Sequence, residues 1–385
     1  MSRSPSRSSK GRKPASSTAP WTPSRVTPES DDDWFDDPAP ATTPGAEDDE
    51  SWFDDVPPAA APAGPDEFEL IERFLRPLTN GDPAALDLLD DAAVLPSRPG
   101  YDLVITKDAM VAGVHFLAGE DLDVVAKRLL RTNLSDLAAK GAEPYGYFLA
   151  VGWPSGTTVE DRETFARGLA EDGQAYGINL LGGDTVTTSG ALVVSATLLG
   201  WVPQGAAVLR RGAQAGDRLV VSGSIGDGWL GLLAHWGEVE DPDGGLVRRY
   251  RTPAPRLSLR EALRQYAHAA ADVSDGLLAD AGHIAKASGL QVKVDLDRLP
   301  LSTGARAWLE AQPERGEARM SLASGGDDYE IVCAIPPADV AAFQAAAFAA
   351  GLPVRDIGEF VEGEGVAALF KGKDITPQRL GWLHG

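Results

Sequence analysis

Asp121 to Lys140 restricts what this chain can fold into more than any other segment. Val124, Val125, Leu129, Leu130, Leu134 and Leu137 fall near helical spacing there, which predicts an amphipathic helix with one stripe in a core. Ser135 and Asp136 interrupt its apolar context. A carboxylate in such surroundings is costly unless it is paired or bound to a metal. A lone aspartate of this kind ordinarily reads as a cap or a surface charge, so the other acidic residues must decide between the two readings.

Four further acidic clusters fall at the ends of predicted elements. They are Leu89-Asp90-Asp91, Thr106-Lys107-Asp108, Gly182-Gly183-Asp184-Thr185 and Asp272-Val273-Ser274-Asp275-Gly276. With Asn133 to Gly141 they make five, and that recurrence favours metal ligation over capping. No His/Cys cluster accompanies them. Oxygen donors alone select hard cations, above all Mg²⁺, which binds through a few carboxylates plus phosphates. Gly-rich turns at Gly182-Gly183-Asp184, Gly223 to Gly228 and Ser324 to Asp328 would let backbone N–H groups approach phosphates. Each is equally readable as a tight turn. None fits the P-loop or dinucleotide patterns, and the protein-kinase signature set is absent.

The formal net charge of -22 repels nucleic acid and anionic lipid. It also opposes a phosphorylated substrate, a conflict that divalent cations remove by inverting the local field. No apolar run is long enough for a membrane helix, and no signal h-region is present. The single cysteine, Cys333, excludes an intramolecular disulfide and a Cys-based zinc site. It lies in a predicted buried strand and reads as a small core hydrophobe. This usage fits a cytoplasmic protein.

Residues 1–65 are rich in Pro, Ser, Ala and Asp and lack the apolar pattern that would offset ordering entropy, which predicts a disordered acidic tail. Asp33-Trp34-Phe35-Asp36-Asp37 returns as Ser51-Trp52-Phe53-Asp54-Asp55. The pair reads either as docking motifs for a protein partner or as incidental aromatics in a solvated tail. The Arg/Ser-rich start is weaker support for a transit peptide. From residue 66 the pattern is globular. It predicts helices over 67–75, 121–140, 159–176, 227–236, 256–269, 277–288 and 337–350. It predicts strands over 101–106, 145–151, 178–181, 191–202, 217–222, 291–295 and 329–335, with the Gly-Gly-Asp of 182–184 as a turn. The mixed order fits two α/β or α+β domains, divided at 203/204 into 66–203 and 204–385.

The motif strings carry a resemblance. Lys107 to Phe116, Asn133 to Gly141, Gly182 to Thr185, Asp272 to Gly276 and Gly325 to Glu330 resemble, in that order, the thiamine-monophosphate kinase family. The resemblance covers roughly 67–385. The Asn-Leu-Ser-Asp-Leu-Ala-Ala run is similar to the wider aminoimidazole-ribonucleotide-synthetase-like superfamily, while Gly113-Val114-His115-Phe116 and Gly381-Trp382 favour the kinase. It implies a two-domain fold, α/β plus α+β, with an N-terminal domain that dimerises by joining sheets and a cleft for ATP and Mg²⁺. It further implies metal ligation by Asp91, Asp108, Asp136, Asp184, Asp272 and Asp275 and by backbone or hydroxyl groups of Thr106 and Lys107. ATP contacts fall on Gly183, Asp184, Arg210 and Ser274. Thiamine monophosphate contacts fall on His115, Asp327 and Trp382.

Three positions depart from the family pattern. Leu89 stands where Gly is usual, Lys107 intrudes where a hydroxyl residue is usual, and Asp327 stands where Glu is common. The implied reaction converts ATP and thiamine monophosphate to ADP and thiamine diphosphate. Its nucleophile, a phosphate oxygen, is ionised at neutral pH, so no catalytic base is needed. The alternatives are another superfamily enzyme, such as aminoimidazole ribonucleotide synthetase, or a non-catalytic scaffold acting through the tail repeat. Selenophosphate synthetase and the hydrogenase-maturation dehydratase depend on cysteines this chain lacks.

Overall fold

A computed structural model describes residues 66–382. The tail repeat at Trp34-Phe35 and Trp52-Phe53 lies outside the described residues. Asp66 and Glu69 form a reciprocal cap that starts α1 (Glu67–Leu70), which runs on through a wider turn to Leu75. Four strands follow: β1 (Tyr101–Val111), β2 (Glu143–Pro154), β3 (Asn179–Thr188) and β4 (Val193–Pro203). They pair in the order β1-β4-β2-β3. β4 is antiparallel to both β1 and β2, whereas β2 and β3 are parallel. Parallel neighbours need a crossover, and α3 (Val159–Tyr176) supplies it. Thr158 and Asp161 cap its start: the Asp161 amide donates to the Thr158 hydroxyl at 3.1 Å, and the Thr158 amide donates back to the Asp161 carboxylate at 2.9 Å.

The predicted stripe forms α2 (Leu122–Ala139), with Val125, Leu129, Leu130, Leu134 and Leu137 wholly buried against this sheet. Each such side chain contributes about 1.5–3 kcal/mol on burial. The far end of α2 enters a different core, where Ala138 and Ala139 meet Val220, Leu263, Ala270 and Cys333. Three cations along α2 also reach the second half of the chain. Arg128 donates to the Tyr250 carbonyl, Arg131 to the Pro253 carbonyl at 3.4 Å, and Lys140 to the Ala270 carbonyl at 2.9 Å.

That second half is built on a seven-stranded sheet. Its strands are β5 (Arg218–Ser222), β6 (Ala269–Asp272), β7 (Gln291–Asp295), β8 (Ile331–Ile335), β9 (Val354–Val361), β10 (Gly365–Phe370) and β11 (Lys373–Asp374), in the order β11-β10-β7-β9-β5-β8-β6. The helices are α4 (Asp227–His235), α5 (Gly245–Arg251), α6 (Arg260–Tyr266), α7 (Leu277–Ser288), α8 (Thr303–Ala311), α9 (Arg315–Ser324) and α10 (Val340–Ala349). β8 is buried at every residue, and burial pushes the Cys333 thiol far above its ordinary pKa, so Cys333 is an inert core side chain.

Three expectations change. Gly182-Gly183-Asp184 is not a turn but lies inside β3. A Cβ on Gly183 would stand 1.9 Å from the Leu149 carbonyl oxygen, so the glycine allows β2 and β3 to meet at this point. The helix predicted over 256–269 divides into a short turn and α6, and its last residue opens β6. α5, α8, α9, β9, β10 and β11 were not predicted. Between Pro203 and Arg218 there is neither helix nor strand. Among the described residues no helix is long and apolar enough to cross a membrane.

Candidate active site

Strand alternation sets Thr106 and Asp108 on one face of β1 and Lys107 on the other. The Thr106 hydroxyl donates to the Asp136 carboxylate at 2.5 Å. Asp108 is pushed up to about 6, first by burial and then by the Asp136 charge, with a Thr132 hydrogen bond opposing. Asp136 is itself raised by burial, against Thr106, Lys140 and Arg210. Asp272, at the end of β6, is 4% exposed. Burial, then Asp136 and Asp280, hold its carboxyl well above the usual range. Lys140 is drawn down to about 8 by burial and by Arg210. The Asp136 charge thus raises the proton affinity of both Asp108 and Asp272, while burial raises all three. This all-oxygen donor set fits a hard divalent cation.

The loop after β6 carries Ser274 and Asp275. A second loop, Gly325 to Tyr329, runs beside it: the Asp327 amide donates to the Ser274 carbonyl and the Tyr329 amide to the Val273 carbonyl, both at 2.8 Å. Asp327 and Tyr329 adopt left-handed backbone angles, φ 64° and 51°, an uncommon conformation for such residues that clusters at functional sites. Arg128 reaches across from α2 and grips both Asp327 oxygens at 2.7 Å. Its Nε also donates to the His115 carbonyl at 3.2 Å. His115 Nδ1 accepts from the Val111 amide at 3.1 Å, so in the neutral ring the proton belongs to Nε2. The Trp382 amide donates to the Asp275 carbonyl at 2.8 Å, while Trp382 as a whole remains 55% exposed.

These groups line one cavity of about 620 Å³, which gathers Asp108, His115, Asp136, Asp272, Ser274, Asp275, Asp327 and Trp382. Thr106 supports it through Asp136. Arg210 lies close enough to act on Asp136, Lys140 and Asp280 electrostatically. Asp91, Gly183 and Asp184 line a different cavity of about 490 Å³, walled by Phe74, Trp153 and Phe165. β1 and β3 are opposite edges of the first sheet, three strand spacings or roughly 14 Å apart. Within one chain the predicted metal ligands therefore form two groups. The Lys107 side chain belongs to neither. The Asp108 carbonyl accepts from Ser195 Oγ on β4 at 2.8 Å, so alternation turns the Lys107 carbonyl toward the open edge.

The Gly-rich turns are engaged with protein. Asp328 accepts from the Gly226 amide at 2.7 Å and the Gly228 amide at 3.0 Å, and burial pushes its carboxyl up to about 8. Those two amides are satisfied by a side chain. Sequence reasoning passed over Arg128 and Asp280. Asp280 Oδ2 accepts from the Ser274 and Asp275 amides, each at 3.1 Å, and so shapes the loop that bears two predicted site residues. Burial and the Asp275 charge push it up to about 7.

Two family models match the chain: AIR synthase related protein, N-terminal domain, over residues 89–202, and AIR synthase related protein, C-terminal domain, over residues 214–371. The two sheets and the carboxylate-lined cavity are thus those of an AIR-synthase-related protein. Thiamine-monophosphate kinase of Caulobacter vibrioides is 71% identical over 371 residues, covering 95% of this chain and 100% of that protein. The chain belongs to the thiamine-monophosphate kinase family. The crystal structure of thiamine-monophosphate kinase from Stenotrophomonas maltophilia superposes with a TM-score of 0.71 at 38% identity, covering 80% of this chain and 97% of that one. AaThiL complexed with AMPPCP and TMP superposes at 0.65 with 28% identity, over 75% and 89%.

Proposed function

We propose that this chain carries out the reaction of its family, moving the γ-phosphoryl group of ATP to thiamine monophosphate to give thiamine diphosphate and ADP. The observation that carries this reading is the single cavity holding Asp108, Asp136, Asp272 and Asp275 together with His115, Asp327 and Trp382. The ligands of the AaThiL complex, AMPPCP and TMP, match a triphosphate donor and this acceptor.

Asp108, Asp136, Asp272 and Asp275 would hold Mg²⁺, with the Thr106 hydroxyl and the Lys107 carbonyl beside them. Asp91 and Asp184 would serve the second group. When bound, the ions neutralise charge on the phosphates and on the transferred group. The chain's own contribution is position. Arg128 fixes Asp327 and the His115 backbone, the His115 imidazole would orient the acceptor, and Trp382 would pack beside it. Arg210 and Ser274 meet the nucleotide, as do Gly183 and Asp184. The attacking phosphate oxygen is already ionised, so catalysis rests on in-line alignment and preorganised charge.

The division of the aspartates supports a homodimer. β1 presents Tyr101, Leu103 and Ile105 to solvent, Ile105 at 60% exposure, and β3 is exposed beyond Gly183. Open edges of this kind template strand pairing. Joining β1 of one copy to β3 of another would set Asp184 beside Asp108. The domain division at 203/204, a cytoplasmic location and a protein partner for the tail repeat are parts of the same proposal. An ATP-consumption assay tests the reaction with thiamine monophosphate, thiamine and formylglycinamidine ribonucleotide. ADP release only with thiamine monophosphate is expected. Turnover with the ribonucleotide would make the chain a synthetase, and no turnover with any of them would favour the scaffold.

A further inference from the structure

Asp280 lies in the first turn of α7, wholly buried. Its Oδ2 is occupied by the Ser274 and Asp275 amides, but its Oδ1 is buried with no hydrogen-bond partner among the described residues. A desolvated carboxylate oxygen left this way is expensive, so a cation is wanted at that spot. His283 follows three residues later on the same helix face, and Asp275 stands in the loop just before. One ligand atom from each of Asp275, Asp280 and His283 lies within 4.8 Å of the others. Arg210 is the nearest rival cation by its electrostatic effect on Asp280 and His283, yet among the described residues it donates a hydrogen bond to neither.

We propose that Asp275, Asp280 and His283 form a site for a divalent transition-metal ion, of the Mn²⁺, Co²⁺ or Zn²⁺ class. The imidazole decides the class. Two carboxylates alone would suit Mg²⁺, whereas adding a ring nitrogen favours the borderline metals. Two negative carboxylates and a neutral imidazole balance one divalent ion. Because Asp280 also holds the Ser274 and Asp275 amides, an ion there braces the loop that faces the large cavity.

The test uses the untagged full-length chain. Co²⁺ is titrated in millimolar Mg²⁺, which fills the carboxylates of Asp108, Asp136 and Asp272 and competes only for the shared Asp275, and binding is read from visible d–d absorption. Wild type is expected to take up one Co²⁺ per chain that Mg²⁺ does not displace. His283→Gln preserves bulk and removes the ligand nitrogen. It is expected to weaken Co²⁺ binding at least about 10-fold, the lower bound for losing even an outer-sphere partner, while its circular dichroism stays that of wild type. Asp280→Asn is expected to lose the absorption as well, and Arg210→Ala to keep it. Equal Co²⁺ binding by wild type and His283→Gln, or no Co²⁺ retained by wild type under Mg²⁺, would overturn the assignment.

Discussion

Asp108 shows how burial makes a single carboxyl a pH-dependent cost to the fold. Its folded-state value of about 6 lies above the ordinary carboxyl value, so the folded chain holds the proton more tightly than the unfolded one. Stability is therefore lost as pH rises from the ordinary value through about 6, and the whole penalty is carried above that. In metal-free protein, Asp108→Asn should raise stability at pH 8 by up to about 3 kcal/mol and give almost no gain near pH 4, as read from urea midpoints. A gain of equal size at both values would contradict the sign. Asp136→Asn should leave the fold intact and lower kcat by roughly 100-fold or more; near-normal turnover at saturating Mg²⁺ would remove Asp136 from the site. Arg128→Ala should destabilise by about 1–3 kcal/mol, as read from urea midpoints, because it leaves the half-buried Asp327 carboxylate without its two guanidinium hydrogen bonds. At this scale Asp136 was legible, since a carboxylate in an apolar stripe poses its own problem. Arg128, in the same helix, was not: a long cation can snorkel to solvent, and only the fold shows that it is closed in by Tyr250 and Asp327.

Elements were legible where local chemistry bounded them. α3 begins at a reciprocal Thr158–Asp161 cap and matches its predicted span. α2 deviates by a residue at each end, and α7 and β7 match. Gly182-Gly183-Asp184 misled because glycines that commonly mark turns here serve close strand approach, which depends on a neighbour distant in sequence. Gly183→Ala should therefore disrupt the first sheet, since its Cβ would meet fixed backbone at 1.9 Å, whereas Gly182→Ala meets only the Phe148 ring at 3.2 Å. Far-ultraviolet circular dichroism and melting temperature compare the two. Equal tolerance would mean that β2 and β3 do not close as described. α5, with three arginines in seven residues, and α9, with an interrupted apolar pattern, carry too little periodicity to stand out alone.

For the molecule as a whole, two copies joined through sheet edges should double the 40.5 kDa chain mass in light scattering. Ile105→Lys should return it to a single chain, because charge on an edge strand discourages pairing. An Ile105→Lys protein that stays dimeric would place the interface elsewhere. What sequence could not supply at this scale is the separation of Asp91 and Asp184 from the other acids, which follows from strand order and not from spacing along the chain. One consequence lies in α2. Arg128, Arg131 and Lys140 fasten it at three heights to the half of the protein it does not itself line with strands. Three such ties would hold the Asp327 end and the acidic end of the cavity at one separation, a built-in length standard against which an acceptor would be matched.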